Sequence, residues 1–94
     1  MILLYIRFRV LQEHHDEFLN VVARLEKRLL QIESIISSEL SQCKDEFENF
    51  IQVINLKSTV EDTQSISNTV LELLGKFSED IIEMRYYRPL TNDS

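Results

Sequence analysis

Glycine and proline each occur once, as Gly75 and Pro89, in a chain of 94 residues. So little turn chemistry excludes a loop-rich fold and any glycine-rich phosphate cradle, and it places most of the chain in regular elements. Cysteine is single too, which excludes an internal disulfide framework and a thiolate zinc site at Cys43. No apolar run approaches the roughly 18–20 residues of a membrane span. "MILLYI" is also shorter than the core of a signal peptide, and Arg7 and Arg9 follow it where a small-residue cleavage site would stand. Basic residues are the minority: 10 Lys and Arg against 16 Asp and Glu leave a net charge of −6. The acidic groups are dispersed among basic ones, so neither a basic nucleic-acid or membrane patch nor an acidic DNA mimic is expected. These absences predict a cytoplasmic domain with no nucleic-acid and no membrane partner.

What is present is globular in character, with 44% apolar and 28% charged residues. In the opening "MILLYIRFRV", side chains alternate between two faces of a strand. Ile2, Leu4, Ile6, Phe8 and Val10 form a core face; Leu3, Tyr5, Arg7 and Arg9 point the other way. Residues 11–34 carry Phe18, Val22, Leu25, Leu29 and Ile32 at steps of four and three, with Glu13, Asp16 and Glu17 early, which predicts a long amphipathic helix. "SIISSELSQCKD" reads as an edge-like strand. "FENFIQVINLK" reads as a second, with Phe50, Ile54 and Leu56 opposite Ile51 and Val53. Ser58 and Glu61 form a capping-box pattern before a helix striped by Ile66, Val70, Leu73, Leu74 and Phe77, and Gly75 stands where a left-handed residue commonly closes a helix. "DIIEMRYYRPL" alternates Ile82, Met84 and Tyr86 with Glu83, Arg85 and Tyr87, and ends at Pro89.

The order β-α-β-β-α-β predicts an α+β ferredoxin-like fold: a four-stranded antiparallel sheet with two helices on one face and the first and third strands innermost. One domain spans 1–90, with a polar tail over 91–94. The sheet face away from the helices then carries Leu3, Tyr5, Arg7 and Arg9, with Ile81, Glu83, Arg85 and Tyr87 from the last strand. Ile51, Val53 and Asn55 join them, as do Ser37, Glu39 and Ser41 in one register of the second strand. A single chain has nothing left to cover this mixed apolar and charged face. A two-fold homodimer covers it by self-complementarity, with Leu3, Ile51, Val53 and Ile81 at the contact.

"YIRFRVLQEHHDEFLNVVARL", then "IISSEL", then "FIQVINLKSTVEDTQSI" resembles the antibiotic biosynthesis monooxygenase-like group of dimeric α+β barrels. The likeness lies in a first strand with alternating charges, the Phe18–Leu19 pair, the Ser37-to-Leu40 strand motif and a Ser/Glu-rich helix start after the third strand. Leu56 stands where that pattern often has Trp, Ser65 where it has His, and about Ser34 where it has Gly. The resemblance implies a homodimer and a cavity for a flat aromatic or polyketide-like molecule, sometimes oxidised by O2 with no bound cofactor.

His14 and His15 are adjacent on a helix, so their side chains diverge by about 100° and cannot readily clasp one metal; they read as a solvated pair. Cys43 beside Lys44 reads as an incidental thiol. The candidate ligand set is Tyr5, Arg7, Arg9, Asn55, Glu83, Arg85 and Tyr87, with Arg7 and Arg9 expected to be matched by Glu83 and Glu39. No residue is assigned as catalytic, and no metal or cofactor is called for. Two readings stand: a monooxygenase-like enzyme or ligand-binding barrel, and a non-catalytic homodimeric interaction or regulatory module.

Overall fold

A computed structural model of the chain describes residues 1–57 and 60–90, and for residues 60–62 and 78 the backbone alone. The strands are β1 (Ile2–Arg9), β2 (Ile35–Gln42), β3 (Asn49–Leu56) and β4 (Ile81–Tyr87); the helices are α1 (His15–Leu29) and α2 (Val60–Leu74). Short 3₁₀ turns at Gln12–His14 and Gly75–Asp80 lead into α1 and out of α2. The sheet is antiparallel in the order β2-β3-β1-β4, so the two most apolar strands are innermost and the fold is the expected α+β ferredoxin-like one. Ser58 of the capping pattern and the 91–94 tail lie outside the described residues.

The core forms where the period-2 face of the strands meets the period-3.6 stripes of the helices. Leu4, Ile6, Phe8, Phe50, Ile54 and Leu56 from the sheet pack on Phe18, Val22, Leu25 and Leu29 of α1 and on Ile66, Val70 and Leu74 of α2, all buried. Phe18 is the hub. Its ring lies 5.0 Å from that of Phe8, 5.1 Å from Phe50 and 5.4 Å from Phe77, mostly edge-to-face, the arrangement ring quadrupoles favour.

His15 is a structural group, which corrects its reading as solvated. Its Nε2 lies 2.7 Å from the Val10 carbonyl, an acceptor, so that nitrogen carries the proton. The ring stands edge-on to Phe50 at 5.0 Å. Lys76, just past α2, holds Glu17 of α1, and this hydrogen bond to the ammonium is the main reason the Glu17 carboxyl titrates below its ordinary range. A lowered folded-state pKa stabilises the fold above the unfolded value of 4.5, and that contribution is lost as the pH falls below it.

Two sequence expectations fail for backbone reasons. Gly75 does not close α2 in a left-handed conformation: it opens the 3₁₀ turn Gly75–Asp80, which carries Phe77 back into the core. A Cβ there would meet nothing within 4 Å. Gly75→Ala is therefore expected to stabilise the fold by about 0.4–1 kcal/mol, by restricting the unfolded chain, which thermal unfolding will register as a raised Tm.

The second concerns β4. Arg7 pairs with Glu83 but Phe8 pairs with Ile81, so Ile82 is an extra residue, a β-bulge. Ile81 therefore turns towards the helices and packs on the core, while Ile82 is exposed beside Arg7 and Arg9. This reverses the alternation expected for those two positions and removes Ile81 from the open face, because strict period 2 holds only while the ladder is unbroken.

Candidate functional site

The open face is laid out in rows by the strand register. Ser37, Asn55, Leu3 and Tyr87 form one row; Glu39, Val53, Tyr5 and Arg85 the next; Ser41, Ile51, Arg7 and Glu83 the third. A bulge at Ile36 sets the β2 register: Ile35 pairs with Leu56 against the core, yet Ser37 pairs with Asn55 on the open side. Leu3, Tyr5, Ile51 and Val53 are only half-buried, flanked by their neighbours in the sheet.

The predicted ligand residues share the face but divide between its two ends. At one end, Tyr87 of the first row meets Tyr5 of the second edge-on at 6.1 Å, and Asn55 Nδ2 donates to Ser37 Oγ at 2.8 Å. At the opposite end the β2–β3 loop borders a depression of about 480 Å³ lined by Arg7, Ser41, Gln42, Cys43, Glu46, Asn49 and Ile51. A second of about 450 Å³ adjoins it, sharing Arg7, Glu46 and Asn49 and reaching Arg9, Phe47, Glu48 and Ile82. Tyr5, Asn55 and Tyr87 line neither.

The expected ion pairs are rearranged. Arg9 Nε lies 3.8 Å from Glu48, the loop residue whose carbonyl accepts the Val10 amide at 2.8 Å, and not beside Glu39 or Glu83. Glu83 is taken by Arg85, at 3.4 Å, and by the Tyr87 hydroxyl, which donates to it at 3.2 Å. Glu46 accepts from Asn49 Nδ2. Among the described residues, Arg7 and Glu39 have no ion-pair partner within their own chain. Partial desolvation first, and then the bond to the Glu83 carboxylate, raise the Tyr87 phenol above its ordinary value, so it is a hydrogen-bond donor rather than a base at neutral pH.

Sequence reasoning passed over Asn49, Glu46 and Glu48 as site residues, although Asn49 continues the Ile51–Val53 alternation. It also passed over Gln52, the one buried polar residue among those described. Its Nε2 reaches Ser38 Oγ at 2.6 Å and Glu26 Oε1 at 3.3 Å, while its Oε1 has no partner among the described residues. Alternation with Phe50 and Ile54 gave its face; nothing local gave its burial. No group of three His, Cys, Asp or Glu side chains among the described residues is arranged to hold a metal ion, and no described helix is long and apolar enough to cross a membrane.

A ferredoxin-like α+β sheet with helices on one face and charged rows on the other defines a class of fold. That fold is shared with antibiotic biosynthesis monooxygenase-like proteins. A variant of SnoaB, a cofactor-independent oxygenase from Streptomyces nogalater, matches 98% of this chain and 95% of its own at a TM-score of 0.81 and 13% identity. A conserved protein from Methanosarcina mazei Go1 matches 93% and 90% at a TM-score of 0.79 and 23% identity. A solved antibiotic biosynthesis monooxygenase matches 97% and 100% at a TM-score of 0.77 and 10% identity. No family model and no curated protein sequence matches the chain. At these identities the likeness establishes the fold.

Proposed function

We propose that the chain works as a homodimer whose open sheet faces close on one another into an α+β barrel, and that the assembly is a non-catalytic interaction or regulatory module. One observation carries this reading: the half-buried apolar group Leu3, Tyr5, Ile51 and Val53 runs across the two central strands with no described element of the chain over it. Contiguous apolar surface of this kind is characteristic of protein interfaces. The ionisable groups beside it are tied to one another, Glu83 to Arg85 and Tyr87, and Arg9 to Glu48, which suits a surface built for packing more than one built to exchange protons. Light scattering coupled to size exclusion is expected to give twice the 11.2 kDa chain mass at micromolar concentration. A mass of one chain there would sink the proposal.

A second reading is supported by the depression at Arg7, whose size lies within the roughly 300–1,000 Å³ of small-molecule sites, and by the description of SnoaB as an oxygenase. In it the barrel binds, or oxidises with O2, a flat aromatic or polyketide-like compound anchored by Arg7. Arg7→Met separates the two: the ligand reading expects a panel of aromatic acids and quinones to raise the wild-type Tm in a saturable way and the variant to lose that shift. The module reading expects no such shift in either.

A further inference from the structure

The two unmatched charges of the open face have opposite sign and a definite spatial relation. Arg7 lies on β1 in the third row and Glu39 on β2 in the second, both exposed. Two strand spacings across and one same-face step along separate their Cα positions by roughly 12 Å, too far for a direct pair within one chain. The point midway between them falls on β3 between Ile51 and Val53, the half-buried apolar residues at the centre of the face.

We propose that Arg7 of each protomer pairs with Glu39 of the other across a two-fold axis that runs between the sheets over Ile51 and Val53; this rests on the homodimer reading above. A two-fold operation makes contacts reciprocal: if Arg7 meets the partner's Glu39, then Glu39 meets the partner's Arg7. An axis over the midpoint and perpendicular to the line from Arg7 to Glu39 satisfies both pairs at once and brings Ile51 and Val53 close to their own copies. The result is an apolar centre with two charge pairs beside it, the usual anatomy of a protein interface. The other basic groups of the face do not compete, since Arg9 and Arg85 already hold Glu48 and Glu83. An arginine covered by a second sheet without a carboxylate would be strongly unfavourable, so the partner that fits this face must present an acid over Arg7. A second copy of this chain presents one.

Charge reversal tests the pairing. Dimer dissociation constants are measured by sedimentation equilibrium for the wild type, R7E, E39R and the double variant R7E/E39R, with circular dichroism to check that each is folded. Each single reversal sets like charges together twice per dimer and is expected to weaken association at least about tenfold, and the double variant is expected to return to within about threefold of the wild type. A double variant no tighter than the weaker single variant overturns the pairing, as does a wild-type dimer indifferent to both reversals; in either case the homodimer reading stands. A wild-type chain that sediments as a monomer overturns both. A dimer that tolerates R7E while losing a ligand-induced rise in Tm overturns the pairing and gives Arg7 to a small anion.

Discussion

Val53→Asp is expected to convert the proposed dimer into a folded monomer, halving the mass seen by light scattering at micromolar concentration. Val53 lies at the centre of the open face, between Tyr5 and Glu39 in its row, and is half-buried in the single chain. In the barrel it would meet the opposite sheet and be fully covered. A carboxylate buried there stands beside Glu39, its partner across the ladder, so two carboxylates would compete for the one arginine that the proposed pairing brings to Glu39, and one of them is left without a cation. An unpaired buried charge costs about 3–5 kcal/mol, a factor of roughly 10²–10³ or more in the dissociation constant. The new Asp also stands directly across the ladder from Glu39, which costs the monomer up to about 1 kcal/mol. Val53→Lys removes that ambiguity. It gains Glu39 as a cross-strand partner, so the monomer keeps its stability, while closure would set the ammonium and the partner's Arg7 on the same carboxylate. A full-mass dimer in both variants would place the contact elsewhere on the molecule.

The larger effect on folding is expected from Phe18→Ala. Phe18 is fully buried and, among the described residues, is the only side chain in ring contact with β1 through Phe8, β3 through Phe50, and the turn after α2 through Phe77. Its removal loses the transfer energy of a ring and leaves a cavity bounded by three stiff neighbours that cannot all collapse inward. The expected loss is about 3–5 kcal/mol. Each kcal/mol shifts the midpoint of a domain this size by about 4–8 °C, so Tm should fall by roughly 12 °C or more. Domains of this size hold only about 5–15 kcal/mol in total, so the variant will sit near the edge of folding. A fall below about 4 °C would show that the aromatic cluster is not the hub the ring geometry makes it.

The α1 stripe, the faces of β1 and β3, and the order of the elements were all legible in the residues, because each depends on a period set by one element alone. Ile81 and Ile82 illustrate the limit. Both are isoleucine and neither neighbour is glycine, so nothing local marks the bulge; it arises from how β4 meets the ladder of β1. Arg7 and Arg9 illustrate another. Their face was readable, but the choice of partner fell to the β2–β3 loop, which brings Glu48 to Arg9, and to Arg85 and Tyr87, which reach Glu83 first. Gln52 and His15 mark a third: their side chains are polar, and only tertiary packing sets them among buried rings and aliphatic groups.

By itself, then, the sequence determined the class of fold and the existence of an uncovered sheet face, since hydrophobic periodicity and the scarcity of glycine and proline act along the chain. Only the tertiary structure decided which charges on that face are already matched and which two are left over. Ion pairs form between residues far apart in sequence, and their competition for a carboxylate is settled by distances of a few ångströms that no spacing along the chain encodes.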